Sequence, residues 1–441
     1  MKKVYLETFG CQMNVSDSER VATRLESGGF EIVSNPDSAD VVLLNTCSIR
    51  EKAEHKLYTR VGQVRNDAGE KPIIGVLGCV AQLEGETLFK RSPAIDFVLG
   101  TKAIGRIGAA IEKVLGGEKN FADLGDRENN FDLSVSDSQR HSPYVGFVPV
   151  IEGCNKFCTY CIVPFSRGRE RSLPASEIIK QVLILKSQGV REIHLIGQNV
   201  NSYRPLSEEG LDGFGGATAF ARLLRAVAAT GAERIKFNTS FPRDFHPDII
   251  EAINENENLC NWVHLPVQSG SDEVLKAMRR GHNIKSYLEK VDKIKSSPRA
   301  ISLTTDIIVG FPGETDENFE DTLKMAEYCD FDSAFVFKYS PRPGTPAFDM
   351  NDTIPEREKT RRFRELDKII RASQQKALQA HLNQTVEVLA EKISSKNLDS
   401  ITGHTSSHKI VNFNGMEDFL GGILNVKITE CKTNTLFGEV C

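Results

Sequence analysis

Over the first 115 or so residues, short β-branched runs alternate with amphipathic stretches, which predicts repeated strand–turn–helix units. Lys3-Val-Tyr-Leu-Glu-Thr-Phe-Gly reads as a strand ending at Cys11, followed by a helix from about Ser16 to Gly28. Asp40-Val-Val-Leu-Leu-Asn-Thr leads to Cys47 and a helix running through Ser48 to Asn66. Pro72-Ile-Ile-Gly-Val-Leu-Gly leads to Cys79 and a helix from about Val80. This pattern implies an α/β unit with a doubly wound parallel sheet. From Tyr144 the alternation resumes for six cycles, with strands expected over 145–152, 192–196, 234–239, 262–267, 302–309 and 334–339. Helices are expected over 174–189, 216–230, 246–256, 271–296 and 314–329, with Asp244, Ser271 and Glu314 near their starts. Six cycles fall short of a closed eight-fold barrel, so the reading is an open, partial (βα)6 TIM-like barrel whose active face lies at the strand carboxyl ends. Residues 355–381 form a charged helix. Beyond Asn383, runs at Val386–Leu389, Ile410–Phe413 and Val426–Ile428 separated by glycines fit a small antiparallel β-barrel. The expected domains are 1–117, a linker rich in Asp, Asn and Ser over 118–143, a core over 144–375, and the terminal barrel over 378–441.

Composition narrows the class without choosing a function. Of 441 residues, 40% are hydrophobic and 26% charged, as in an ordinary globular protein. The formal net charge of −5 argues against a strongly basic nucleic-acid binder, so any RNA contact falls to local patches. Met1-Lys-Lys-Val-Tyr-Leu-Glu enters a strand rather than a signal peptide, and no apolar run reaches the roughly 20 residues of a membrane span. Ten cysteines without export signals point to a reducing cytoplasm and to metal ligation rather than disulfides.

Six of those cysteines fall into two sets. Cys154, Cys158 and Cys161 lie within eight residues, spaced C-x3-C-x2-C directly after the first barrel strand, so the loop can wrap one soft metal centre. Three thiols leave one iron of a four-iron cubane without a protein ligand and open to substrate. Gly153 lets the backbone turn tightly, and Phe157 and Tyr160 are placed to shield the centre. A zinc knuckle or a thioredoxin-like Cys158-x-x-Cys161 pair are the plainer readings, and neither accounts for the third thiol. Cys11, Cys47 and Cys79 recur at intervals of 36 and 32 residues, each just past a strand, where ligands collect in open α/β sheets. Three equivalent positions point to one shared metal centre rather than to three buried small side chains.

The spacing and flanks of the Cys154–Cys161 loop resemble the radical S-adenosylmethionine (SAM) enzymes. Cys11 in Glu7-Thr-Phe-Gly-Cys-Gln-Met-Asn, Cys47 in Asn45-Thr-Cys-Ser-Ile-Arg-Glu, and Cys79 in Gly78-Cys-Val-Ala-Gln extend the resemblance to the methylthiotransferases over nearly the whole chain. The terminal barrel resembles a TRAM RNA-binding module. The resemblance implies two [4Fe–4S] clusters, held by Cys154, Cys158 and Cys161 and by Cys11, Cys47 and Cys79. It also implies SAM used twice, as methyl donor to cluster-bound sulfur and as the source of a 5′-deoxyadenosyl radical. Gly197-Gln198-Asn199 occupies the position where such enzymes approach the methionine part of SAM. Asn238, Ser240, Gln268 and Gly310 end the following strands and are candidate SAM contacts, each with the plainer reading of a turn residue or cap. No catalytic side chain beyond the cluster ligands is required, and His194, His264 and His282 read as structural.

Cys11-Gln-Met-Asn, Ser48-Ile-Arg-Glu and Gly197-Gln-Asn-Val-Asn-Ser-Tyr203 resemble the branch that converts N6-dimethylallyl-adenosine at position 37 of tRNA to its 2-methylthio derivative. The implied partners are the tRNA anticodon stem-loop, an electron donor and a sulfur source, with a monomer expected and no membrane. The terminal 64 residues (378–441) weaken an RNA reading of that module, since five Lys and no Arg face seven Asp or Glu, a formal −2. Gly403-His404-Thr405 also stands where related modules carry Gly-Arg-Thr. Arg357, Arg361, Arg362, Arg364, Lys368 and Arg371, with Arg167, Arg169 and Arg171, offer positive charge instead. The competing readings are a relative acting on threonylcarbamoyl-adenosine or a ribosomal protein side chain, and a non-catalytic, metal-stabilised RNA-binding protein.

Overall fold

The computed structural model describes residues 1–48, 51–67, 72–125, 133–394 and 399–441. Two compact units emerge: residues 1–141 with 147–155 and 162–173, and residues 142–146 with 156–161 and 174–441. Ile49 and Arg50 of the Ser48-Ile-Arg-Glu segment, and 126–132 of the expected linker, lie outside the described residues.

The first unit runs β1 (Lys3–Phe9), α1 (Gln12–Ser27), β2 (Glu31–Val33), β3 (Val41–Thr46), α2 (Glu51–Asp67), β4 (Ile73–Gly78), α3 (Cys79–Glu84), α4 (Thr87–Arg91), β5 (Phe97–Gly100), α5 (Ile107–Leu115) and β6 (Phe121–Asp123). The strands pair in the order β2-β1-β3-β4-β5-β6, all parallel. Alternation along β3 explains the double winding: Val41 and Leu43 fill a core with α1 and α5, while Val42 and Leu44 fill a second core with α2 and α3. Chain order reverses at β1, between β2 and β3, so the sheet's switch point opens at the ends that carry Cys11 and Cys47. Three strands escaped the pattern reading (β2, β5 and β6), because each has only three or four residues. β6 falls inside 118–143, and the Gln139 amide there donates to Glu26 on α1 at 2.7 Å.

After β7 (Val145–Pro149), β8 (Ile151–Glu152) and β9 (Arg171–Ser172) pair antiparallel on either side of α6 (Val163–Arg167). The single strand expected over 145–152 is therefore two, β7 and β8.

The second unit contains α7 (Ala175–Ser187), β10 (Glu192–Ile196), α8 (Ala219–Ala228), β11 (Arg234–Phe237), α9 (Asp248–Glu255), β12 (Trp262–His264), α10 (Asp272–Ala277), α11 (Ile284–Lys295), β13 (Ser302–Val309), α12 (Asp316–Cys329), β14 (Ser333–Lys338) and α13 (Glu356–Gln379). Two parallel ladders, β11-β10-β7 and β12-β13-β14, with a parallel bridge from Ile235 to Leu259, make the open six-stranded barrel. The helix expected over 271–296 is two helices, because Arg279 (φ 55°) and Gly281 (φ 66°) break the run. The third and fourth strands end earlier than expected, at Phe237 and His264.

The last five strands, β15 (Thr385–Ile393), β16 (Ser400–Thr405), β17 (Ile410–Asn414), β18 (Ile423–Cys431) and β19 (Leu436–Val440), close a barrel in the order β15-β16-β17-β19-β18. It is not wholly antiparallel: β17 and β19 run parallel. The β16–β17 turn plugs the amino-terminal mouth of the large barrel. Ser406 donates to Asn261 at 2.6 Å, and Lys409 donates to Ser302 at 3.1 Å and Asp332 at 2.5 Å. His404 is buried between Glu192, which accepts from Nε2 at 2.9 Å, and Glu391, which accepts from Nδ1. The doubted phosphate contact at His404 is thus an internal one.

Candidate functional site

In the first unit the three predicted cysteines come together because three strands end side by side. Cys11 is the N-cap of α1, Cys79 is the first residue of α3, and Cys47 follows β3. Helix amino termini favour thiolates through their unpaired N–H groups. Asn14 ties the ends together: its Oδ1 accepts from the Cys11 thiol at 3.2 Å, and its Nδ2 donates to Asn45 Oδ1 at 3.2 Å and to Thr46 O at 3.3 Å. Asn45 returns a bond to Asn14 O at 2.9 Å. Gly78 sits at φ 92°, and a Cβ there would lie 2.3 Å from Asn45 Oδ1 and 2.6 Å from Thr46 O. Only glycine lets β4 close onto β3 and deliver Cys79.

The Cys47 thiol hydrogen-bonds both Cys11 and Cys79 and holds its proton, pushed far up by those neighbours and by burial. Its bond, with Arg167 nearby, pulls Cys11 and Cys79 down to about 6 against burial. Three converging sulfurs, two of them poised as thiolates, suit a soft metal centre with three protein ligands.

Arg167, a candidate for positive charge toward RNA or else a plain loop residue by sequence, is neither exposed nor free: it is buried and bonds Asp17 on α1 at 2.7 Å. Against burial, Arg167 and Arg20 hold the Asp17 carboxyl below the usual range. A guanidinium buried beside three thiols offers charge compensation to an anionic cluster. Arg169 is exposed and Arg171 half-buried.

Around the second cysteine set, Gly153 (φ 78°) lets Cys154 N donate to Gly168 O at 3.2 Å, and a Cβ at Gly153 would lie 2.3 Å from Arg169 O. Cys154 belongs to the first unit, Cys158 and Cys161 to the second. Cys161 N donates to Cys158 O at 3.0 Å, so these two thiols sit on one tight turn. That turn is fixed by Thr159, whose N donates to Met278 O at 3.1 Å and whose O accepts from Ala347 N at 2.8 Å. Arg280 is fully buried: its Nη1 donates to Cys158 Sγ at 3.5 Å, its Nη2 to Pro266 O at 2.7 Å, and its face covers Phe241. An N–H aimed at a cysteine sulfur is a standard feature of iron–sulfur sites. Tyr160 is half-buried and packs edge-on against Phe311, while Phe157 (φ 48°) is exposed.

The expected SAM contacts lie at the strand ends. Asn199, buried after β10, donates to Ser202, which donates to Asp244, and Asp244 also pairs with Lys156 of the cysteine loop. This chain pins the loop to the Gly197-Gln198-Asn199 turn; nothing in local sequence announced Lys156, and Asp244, expected near a helix start, stands four residues ahead of α9. Asn199 Oδ1 and Ser240 Oγ are buried without partners, and Arg280 Nε likewise. Buried polar atoms of this kind call for a ligand or water. Asn238 N donates to Leu195 O at 3.1 Å. Gln268 adopts φ 78° while its backbone bridges Asp306 and Ile308, and Thr239 adopts φ 70°. Positive φ at non-glycine residues is costly and clusters at binding sites. Gly310 N, by contrast, donates to Glu314, itself paired with Arg362 at 2.7 Å, so that end is occupied internally.

His264 contacts Thr304 and Asp306, and burial and Arg280 pull His282 down to about 4. Glu192, His194 and His404 also have the donor geometry of a metal trio among the described residues. The Arg234 guanidinium 2.9 Å from Glu192, with buried Lys236 nearby, already balances that carboxylate and opposes a cation. Much of the basic helix is neutralised too: Arg361 pairs with Glu358 and Glu365, Arg362 with Glu314, Asp316 and Glu358, and Arg371 with Asp367.

Comparison with known proteins follows the same divisions. Residues 3–100 match the Uncharacterized protein family UPF0004, 148–326 the Radical SAM superfamily, and 379–441 the TRAM domain. Among solved structures, a radical S-adenosylmethionine methyltransferase from Kitasatospora setae superposes with a TM-score of 0.58 at 14% identity, covering 79% of this chain and 75% of that one. That likeness establishes the fold. The tRNA-2-methylthio-N(6)-dimethylallyladenosine synthase of Actinobacillus pleuropneumoniae serotype 3 is 43% identical over 100% of this chain and 92% of its own length. The synthase so named in Koribacter versatilis is 41% identical over 100% of this chain and 98% of its own. With that identity sustained from end to end, the chain belongs to the tRNA-2-methylthio-N(6)-dimethylallyladenosine synthase family.

Proposed function

We propose that this protein converts N6-dimethylallyl-adenosine beside the anticodon of tRNA to its 2-methylthio derivative. The observation that carries the reading is the presence of two three-cysteine sets in one chain, one of them drawn together at three adjacent strand ends. Cys154, Cys158 and Cys161 would hold one [4Fe–4S] cluster and Cys11, Cys47 and Cys79 a second. Bound there with SAM, these groups supply one-electron chemistry able to open the unactivated C–H bond at adenine C2.

The protein's part is binding and orientation. The Cys47 hydrogen bonds, with Arg167, favour the thiolate forms of Cys11 and Cys79 that a cluster needs, and N–H groups at the start of α1 add to this at Cys11. Arg280 offers an N–H to the Cys158 sulfur. Lys156, Asp244 and Ser202 hold the turn at Gly197, Gln198 and Asn199 against the cysteine loop. Asn199, Asn238, Ser240 and Gln268, with the backbone at Gly197 and Gln198, are the proposed SAM contacts; at Gly310, whose N–H already serves Glu314, only the carbonyl is left for that role. The partnerless acceptors of Asn199 and Ser240 favour the first and third of those side chains. The reaction further requires an electron donor and a sulfur source, and a monomer acting on tRNA in the cytoplasm suits it. The described helices include none long and apolar enough to cross a membrane.

The test is reconstitution of the purified protein with iron and sulfide under anaerobic conditions, followed by SAM, reductant and tRNA carrying N6-dimethylallyl-adenosine. Mass spectrometry of the digested tRNA should show the 2-methylthio nucleoside. A protein that binds its full iron yet leaves that nucleoside unchanged would refute the reading.

A further inference from the structure

Two phenylalanines on the last strand of the open barrel are left in water. Phe335 is 63% exposed and Phe337 44%, and their rings stack with centroids 6.4 Å apart at 22°. Alternate residues of a strand share a face, so both rings stand on the same side of β14. Register fixes which side. Phe335 lies opposite Asp306 and Phe337 opposite Ile308, while Thr305, Ile307 and Val309 of β13 fill the opposite, buried face. One strand further, His264 lies opposite Thr304 and pairs with Asp306, so the inner face of the barrel continues from the two rings to Trp262, which stacks on His264.

The face also continues toward the cysteine loop. Ile308, the register partner of Phe337, packs into the apolar cluster of Phe311 and Tyr339 that holds Tyr160, the residue before Cys161. Two exposed, mutually stacked phenyl rings, linked through Ile308 to the cluster that holds Tyr160 of the cysteine loop, have no structural task. Single exposed apolar residues need no explanation, but an ordered aromatic pair inside a barrel mouth marks a binding surface.

We infer that Phe335 and Phe337 form a stacking platform for unpaired bases of an RNA loop, the target adenine and a neighbour, as they enter the open side of the barrel. The occupant follows from the chemistry, resting on the function proposed above. Hydrogen removal from adenine C2 requires the base to leave its own stack, and an aromatic side chain replaces what it loses. The rings are apolar, the carboxylate opposite Phe335 is that of the partly exposed Asp306, and the helix cations Arg361 and Arg362 are already paired, so the pair reads base faces rather than phosphates.

The experiment uses the full reconstituted chain and an anticodon stem-loop RNA carrying N6-dimethylallyl-adenosine. Affinity is measured by fluorescence anisotropy and KM by product formation. Phe335→Ala/Phe337→Ala should weaken RNA binding and raise KM for RNA about 10- to 100-fold, the range expected for losing base stacking. Iron content and thermal stability should hold, because the rings are exposed and their loss opens no cavity. Phe335→Tyr/Phe337→Tyr, which keeps the rings, should stay within about threefold of the parent. Unchanged affinity in the Ala variant, or equal losses in the Ala and Tyr variants, would overturn the platform. So would an Ala defect that disappears when the RNA carries unmodified adenosine, since that outcome assigns the rings to the dimethylallyl group. The binding readout needs no turnover, so it stands apart from the methylthiolation reading, which product formation by the parent protein tests.

Discussion

Replacing His404 with Leu cuts the charge that joins the terminal barrel to the large one. The imidazole bridges two carboxylates, accepted by Glu192 at 2.9 Å and by Glu391 on its other nitrogen, and both hold it above its ordinary value against burial. Leu would leave one buried and one half-buried anion facing an apolar side chain. Breaking a buried pair costs about 3–5 kcal/mol. Here the lower end applies, because Arg234 still serves Glu192 at 2.9 Å and Glu391 is 27% exposed and regains water. We therefore expect a loss of about 3 kcal/mol.

The assay is built in. The chain has one tryptophan, Trp262, whose ring lies 5.1 Å from that of His408 on the plugging turn, so urea unfolding followed by its fluorescence reports this seam. The pH dependence has a definite sign. His404, raised, contributes stability that is complete below the unfolded value of about 6.5 and is lost as pH rises through its folded value. His408, pulled down to about 2 by burial and Lys236, and His194, lowered by burial, act oppositely: they withdraw stability as pH falls below about 6.5. Glu192 and Glu391, both lowered, lose their contribution at lower pH still. The parent seam should thus weaken on both sides of neutrality. His404→Arg, permanently charged, should abolish the alkaline loss and keep most of the stability. A His404→Leu variant within about 1 kcal/mol of the parent, or an alkaline loss that persists in His404→Arg, would refute the reasoning.

Replacing Cys154, Cys158 or Cys161 with Ala should abolish 5′-deoxyadenosine formation, and measurable formation under reducing, anaerobic conditions would count against that ligand set. Arg280→Met removes the N–H donor to Cys158, so at a fixed reductant we expect several-fold slower SAM cleavage and a lower midpoint potential by EPR titration; Arg280→Lys should fall between. Gly78→Ala pushes a Cβ to 2.3 Å from Asn45 Oδ1 and strains a backbone at φ 92°, so it should cost about half of the bound iron, read by metal analysis, while SAM cleavage survives.

What could be read in the chain was whatever repeats locally. The period of strand and helix put Cys11, Cys47 and Cys79 at equivalent strand ends, and the sheet order places those ends side by side. Contacts between distant segments left no such signal. Arg167 lies 150 positions from Asp17, and Arg280 lies 122 from Cys158. Arg167 looked like surface charge and Arg280 drew no notice, because nothing nearby in sequence marks their partners. The basic helix misled for the same reason: Arg362 finds Glu314, 48 residues away, and is spent inside the fold. The break between α10 and α11 was hidden because the positive φ falls on Arg279, a residue with no turn preference. His404, by contrast, announced itself by standing where related modules carry Arg, and only the structure shows that it faces carboxylates rather than RNA.

The two-cluster account is tested most directly on one preparation in which Cys11, Cys47 and Cys79 are all Ala. Bound iron, 5′-deoxyadenosine and the 2-methylthio nucleoside are measured together, beside the parent. The account predicts that about half of the iron is lost, that SAM cleavage continues at the separate Cys154–Cys161 centre, and that no methylthio product forms. Full iron with product at the parent level would contradict it, and would reduce the three thiols to small buried side chains.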